Sequence, residues 1–313
     1  MEPDDYPVIA ATIFAISIVI SLGELVYLTI ISRKESFKHA YAQPLKNILF
    51  ISVVTSVLPI ISTAAFAILG SQFAPTTLSN NWYAWPIGLL IFEFWYWVQH
   101  YLGHKVRFLW CIHAPHHAPD TLTSLIGLGR NILELPYLGF FLGFMTAFCG
   151  VPVEIVFVIS LIDGFWGKFL HISPKLIPGR YGPFEYFLQT PSYHRGHHAK
   201  NLVYMDTNYN SLTLFWDWVL GTLQPLQDSQ PAEYGITREV DSESWFDVQL
   251  GETKALWRDL KLAPGLKNKL CYLLMPPGWS HTGEHKTVTA QRQQQILEEA
   301  QKAQTRQGAR PKD

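Results

Sequence analysis

Nine of the chain's twelve histidines fall between His100 and His198, under a third of its 313 residues. Eight form three tight groups: His100-Tyr-Leu-Gly-His104, His113-Ala-Pro-His116-His117 and His194-Arg-Gly-His197-His198. The ninth, His171, stands between the second and third groups. Neutral imidazole is a ligand for iron, copper, nickel and zinc. Helix positions i and i+4 share a face, so His100 and His104 can grip one ion from one helix. In each His-x-x-His-His run the imidazoles sit at i, i+3 and i+4, with the adjacent pair splayed toward different ions. Two such triplets plus a pair suit a dinuclear centre. Nitrogen ligation without thiolate argues against iron–sulfur clusters and Cys-rich structural zinc, and is compatible with non-haem iron. The other three histidines (His39, His281 and His285) read as ordinary surface residues.

The elements that must carry these groups are strongly apolar. The chain is 48% hydrophobic and only 16% charged, against roughly a quarter charged in soluble domains. A bilayer span needs about 20 mostly apolar residues. Five stretches meet that description: Val8 to Ile31, Leu45 to Gly70, the aromatic-rich Pro86 to His104, and Ile132 to Gly150 with Val151 to Leu170 as a hairpin around Gly150-Val151-Pro152. The acidic start (Glu2, Asp4, Asp5) and the length of the first run read as a retained helix rather than a cleaved signal. Lys and Arg alternate between the connecting segments. Arg33, Lys34, Lys38 and Lys46 follow the first run, Lys105, Arg107 and Arg130 the third, and Lys168, Lys175, Arg180, Arg195 and Lys200 the fifth; the intervening segments have none. By the positive-inside rule the N-terminus lies outside and all nine clustered histidines meet on the cytoplasmic face. The expected fold is an all-α integral membrane protein of four to five membrane helices: two full spans, an aromatic-rich third and a helical hairpin. A cytoplasmic helical cap over them holds a di-metal site. The expected domains are N-terminal membrane helices over 1–85, a histidine-rich catalytic domain over 86–285 and a polar tail over 286–313, in which 291–304 can form a surface helix.

Ligating imidazoles need partners that orient them. Glu93 and Asp163 are carboxylates inside apolar runs, expensive there and therefore functional candidates. Each is expected to hydrogen-bond a ligand histidine, to face a lipid cavity, or to make a polar contact between helices. Asp206 and Asn208 follow the last group closely and are candidates for fixing imidazole tautomers. The three cysteines (Cys111, Cys149 and Cys271) are far apart and form no CxxC, which argues against a disulfide framework and thiolate-bound zinc, and Cys111 reads as a small buried hydrophobe. The net charge of −1 gives no basic field for nucleic acid.

The spacing His-x3-His, His-x2-His-His, His-x2-His-His resembles the fatty acid hydroxylase superfamily, which includes sterol desaturases. Gly182-Pro-Phe-Glu-Tyr, Thr190-Pro-Ser-Tyr-His-Arg-Gly-His-His198, Asp206-Thr-Asn-Tyr209 and Trp216-Asp-Trp-Val-Leu-Gly-Thr222 together look like its signature. Tyr234-Gly-Ile-Thr and Pro276-Pro-Gly-Trp279 are similar to the alkylglycerol monooxygenase and bacterial sterol-desaturase-like branch. The resemblance implies a membrane-embedded enzyme with two non-haem irons that uses O2 to attack a C–H bond of a lipid drawn from the bilayer. It implies His100, His104, His113, His116, His117, His194, His197 and His198 as iron ligands, with His171 matching an extra histidine of many members. Electrons are expected from a separate donor: cytochrome b5, a ferredoxin or a tetrahydropterin. The enzyme is expected in the inner membrane of a bacterium or the endoplasmic reticulum of a eukaryote. Hydroxylation of a sterol, fatty acyl or ether lipid leads the reading, with desaturation at the same centre as its alternative. A zinc-dependent lipid hydrolase and a non-catalytic metal-binding membrane protein are the readings from other classes.

Overall fold

A computed structural model describes residues 5–31, 53–126, 130–131, 133–241 and 244–308. Among these residues the architecture is all-helical, with three isolated β-bridges and no strand ladder.

Helix α1 (Asp5–Ile31) contains Ala11–Leu28, a stretch long and apolar enough to cross a membrane. Val8, Val19 and Ile30 on it are exposed. Glu24 is the one charged residue within Ala11–Leu28 and is buried. Its carboxylate accepts the backbone N–H of Ser124 (2.7 Å) and of Ser173 (2.6 Å), which ties α1 to the segments following the second histidine group and His171.

Helices α2 (Val53–Ser71) and α5 (Glu134–Phe148) pack backbone to backbone. A Cβ on Gly143 would lie 2.2 Å from the Thr63 carbonyl oxygen, and one on Gly70 would lie 2.3 Å from that of Phe144. Small residues at such crossings let two apolar helices approach closely where lipid offers no competing hydrophobic drive. Through the crossing α5 winds as a π-helix, Gly139–Met145. A tight turn at Gly150 (φ +92°) and Pro152 leads into α6 (Val153–Leu170), so α5 and α6 form the expected hairpin. Helix α3 (Ala84–Lys105) packs Gly88 against Val151 and Ile155. Phe92, Tyr96, Leu142, Ile155 and Ile159 close the core between α3, α5 and α6.

Of the five apolar runs, α1 alone among the described residues is long and apolar enough by itself to cross a membrane. Polar residues account for the difference in two of the runs, and the second run, Leu45 to Gly70, begins outside the described residues. Helix α6 carries Glu154, Asp163 and Lys168, and α3 carries Glu93, Gln99, two histidines and Lys105. Helix α5 is simply short. Arg33, Lys34, Lys38, Lys46 and His39 lie outside the described residues.

Short helices form the cap. Helix α4 (Arg107–His117) follows α3 after a single residue, Val106. The third histidine group rides on α7 (Pro191–His197), with proline at the first helical position, where the absent N–H costs nothing. Helix α8 (Phe215–Val219) follows, then α9 (Trp245–Leu262) and α10 (Gly265–Leu274). The last two pack on α4 through Cys111, Leu256, Ala263 and Tyr272, and Arg107 is salt-bridged to Asp259 (2.5 Å). Cys111 is thus a core hydrophobe. Helix α11 (Val288–Gly308) is pinned at its start by Arg292, which donates to the carbonyls of Leu202, Val203 and Met205.

Candidate metal centre

The nine histidines between His100 and His198 converge into two buried groups. His100, His104, His113, His117 and His197 form one, and His116, His171, His194 and His198 the other; within each, one ring nitrogen per residue lies within 4.8 Å of all the others. Helical periodicity explains the sorting. The pairs 100/104, 113/117 and 194/198 are each one turn apart and share a face, so each pair enters a single group. Adjacent residues are rotated by about 100°. His116 therefore parts from His117, and His197 from His198. The groups abut: the His117 and His198 rings stack with centroids 4.3 Å apart.

Backbone carbonyls and one carboxylate set the ring orientations. His100 Nδ1 lies 2.6 Å from the Tyr209 carbonyl, and His197 Nδ1 lies 2.7 Å from that of Thr207. His171 Nδ1 bonds the Gly167 carbonyl one turn back. A carbonyl only accepts, so in each case Nδ1 carries the proton and Nε2 is left as a bare lone pair. His113 Nδ1 lies 2.7 Å from Glu134 Oε1, a fully buried carboxylate that also faces Arg130 at 3.6 Å. His104 Nδ1 lies 3.6 Å from Asp206, which is paired with Lys105.

The donor set fits metal ions. His100, His104 and His197 each present a buried Nε2 with no hydrogen-bond partner. In the second group, His171 Nε2 lies 2.8 Å from His194 Nε2, 3.0 Å from His198 Nε2 and 3.2 Å from His116 Nε2. Two ligands at right angles, each about 2.1 Å from a common ion, lie about 3.0 Å apart. Hydrogen bonding alone does not satisfy this arrangement. The His194–His198 contact of 3.1 Å closes a triangle with His171, and each side would need its own proton while His171 has committed its proton to Gly167. Burial, and then the neighbouring imidazoles, push the His116, His117, His194 and His198 pKa values well below the ordinary imidazole range. Burial lowers His197 to about 3, against its hydrogen bond to the Thr207 carbonyl, which raises it. These rings are neutral at pH 7, the form that ligates.

The structure redistributes the other four candidates. Glu93 reaches no histidine. It lies seven residues before His100, about 10 Å along the helix axis. Its buried carboxylate instead accepts from the backbone N–H groups of Leu212 (3.0 Å) and Thr213 (2.8 Å), the Thr213 hydroxyl (2.8 Å) and the Asn210 amide (3.2 Å). It clamps the loop whose Tyr209 carbonyl orients His100. Asp163, two turns before His171, has no hydrogen bond to a histidine; Ser211 and the charge of Arg130 are the groups that act on it. Asp206 does sit beside His104. Asn208 contacts no imidazole: its amide donates to the carbonyls of Tyr193 (3.1 Å) and Gln224 (2.7 Å), and its oxygen accepts from Gln224 N–H (2.7 Å). Asp206 (φ 60°) and Asn208 (φ 56°) are left-handed, a conformation that Asp and Asn tolerate best among non-glycine residues. This chain path aims the carbonyls on either side of Asn208 at His197 and His100.

Sequence reasoning missed Glu134, Arg130 and Asp217 as supporting residues. Asp217, in the Trp-Asp-Trp stretch, accepts the N–H groups of Tyr209 and Asn210 at 2.8 Å each and so braces the same loop from the other side. Outside the clusters, His281 bonds the Tyr272 hydroxyl (2.9 Å) and His285 stacks on Trp279.

Residues 85–222 match the fatty acid hydroxylase family. Over 200 residues the chain is 30% identical to alkylglycerol monooxygenase of Xenopus tropicalis, covering 63% of this chain and 43% of that protein. It is 28% identical to the human alkylglycerol monooxygenase over 200 residues, covering 64% and 42%. It is 29% identical to ornithine lipid hydroxylase OlsE of Rhizobium tropici over 187 residues, covering 56% and 55%. The matched segment thus spans less than half the length of the alkylglycerol monooxygenases. No solved structure is a significant match. All nine clustered histidines lie within the matched residues, so the segment that carries them, 85–222, is the part of the chain that matches the fatty acid hydroxylase family.

Proposed function

We propose that this protein is a membrane-bound lipid monooxygenase that hydroxylates a C–H bond of a sterol, fatty acyl or ether lipid. The observation that carries the reading is the pair of abutting histidine groups, five and four residues strong, with bare Nε2 lone pairs turned inward. Similarity to enzymes named as lipid monooxygenase and lipid hydroxylase supports the substrate class. Two irons, one per group, would supply O2 activation and insertion of an oxygen atom into the C–H bond. The nine histidines would hold them, His171 included.

The protein's own part is position and dryness. Every ligand candidate is 6% exposed or less, so the imidazoles are largely shielded from bulk water. Glu134 and the carbonyls of Tyr209, Thr207 and Gly167 fix which nitrogen each imidazole presents. Glu93 and Asp217 hold the 209–213 loop from opposite sides. Electrons come from a separate donor (cytochrome b5, a ferredoxin or a tetrahydropterin), and the lipid enters from the bilayer. The alternating Lys and Arg content of the connecting segments supports a multi-pass topology with the centre on the cytoplasmic face.

The test is product analysis with the full chain in membranes supplied with reductant and isotopically heavy O2. The expected product is a lipid with one new hydroxyl carrying the heavy oxygen. A new double bond without label would instead identify a desaturase. Cleavage with oxygen from water would identify a hydrolase.

A further inference from the structure

A cavity of about 470 Å³ opens onto the histidine groups from the cap side. Its floor is His104, His117, His197 and His198, so it reaches both groups. Its walls are charged, and unevenly so: Arg107, Lys200, Arg238, Arg258 and Lys286 against two carboxylates, Asp206 and Glu252. Both carboxylates are engaged. Asp206 pairs with Lys105, and Glu252 with Arg238 at 2.9 Å. Arg107 is held by Asp259, and Arg238 also by Asp247 at 2.8 Å. Lys200 and Lys286 pair with no carboxylate among the described residues, and the largely exposed Arg258 reaches Asp259 only at 4.0 Å.

Lys286 is held at the cavity by the Pro276-Pro277-Gly278 turn. Its N–H donates to the Gly278 carbonyl (2.7 Å), and Gly278 (φ +86°) packs so tightly that a Cβ there would lie 2.4 Å from the Lys286 carbonyl oxygen. Trp110, Met205, Ile236 and Val288 line the same cavity and give it an apolar side.

We propose that this cavity is the headgroup site for an amphiphile with an anionic head, phosphate or carboxylate, whose first carbons lie over the histidine floor. The proposal rests on the monooxygenase reading for the fate of those carbons, but the binding itself does not. A concave site with surplus like charge concentrates the opposite charge. Arginine forks and lysine ammonium groups bond phosphate and carboxylate through strong charge-assisted hydrogen bonds. The apolar lining takes the first methylenes of the chain. The oxidised carbon should then lie near the head, not near the tail end.

The test measures equilibrium binding of hexadecyl phosphate, hexadecanol and inorganic phosphate to the detergent-purified full chain, beside the Lys200→Gln/Arg258→Gln/Lys286→Gln variant. Hexadecyl phosphate is expected to bind the parent at least about tenfold more tightly than hexadecanol, and the variant to lose most of that preference while binding hexadecanol as before. Equal binding of the two amphiphiles, or a variant that keeps the preference, overturns the proposal. Inorganic phosphate binding as tightly as hexadecyl phosphate assigns the cavity to a free anion and overturns it too. This readout needs neither iron nor turnover, so its failure leaves the monooxygenase reading standing, and an iron-free preparation still tests the cavity.

Discussion

Replacing His171 by alanine is expected to lower metal content from two ions per chain to one and to abolish turnover. His171 stands alone in the sequence, yet its Nε2 is the hub of the second group, 2.8 to 3.2 Å from the nitrogens of His194, His198 and His116. Loss of a residue that only supports a ligand typically costs about 10–100-fold in metal affinity; loss of the ligand itself should exceed that. The five-histidine group is left intact and should keep its ion. Metal-to-protein ratio and turnover are the readouts, with circular dichroism to confirm helix content. His281→Ala, outside both groups and bonded to Tyr272, is the control and should leave both readouts unchanged. A His171→Ala protein that keeps two ions and full turnover would make His171 an ordinary core histidine.

The second large effect is expected at Glu134. Its carboxylate accepts from His113 and faces Arg130, with all three side chains largely shielded from solvent. Glu134→Gln keeps the shape but removes the charge that makes the His113 Nδ1–H bond strong. Metal affinity of the five-histidine group should fall about 10–100-fold, with the fold retained. Glu134→Ala is expected to be worse, because it also leaves the buried His113 Nδ1–H without an acceptor, which costs about 1–3 kcal/mol. Competition against a metal chelator of known affinity, read beside thermal unfolding, separates the two consequences. A Glu134→Gln protein with unchanged metal affinity would reduce Glu134 to a packing residue.

The histidine groups and their division between two sites were legible in the sequence because helical periodicity is local: i, i+4 pairs share a face and adjacent residues do not. The supports were not legible, for two reasons. Tyr209, Thr207 and Gly167 act through backbone carbonyls, which leave no mark on residue type. Glu134 and Glu24 act across 21 to 149 residues of chain, through contacts that only the packed helices create. Glu93 is legible as a buried carboxylate, but its partner is not: one helix cannot bend it back to His100, and a loop 117 to 120 residues away comes to meet it. Apolar runs alone did not show how polar α3 and α6 are, because their polar side chains serve the site and its loops.

Metal analysis with Mössbauer spectroscopy on the detergent-purified full chain tests the central claim most directly. About two irons per chain are expected, magnetically coupled and reactive with O2, one in each histidine group. Stoichiometric zinc that iron cannot replace with gain of activity would contradict it, and the nine histidines would then serve hydrolysis or structure instead of oxygen chemistry.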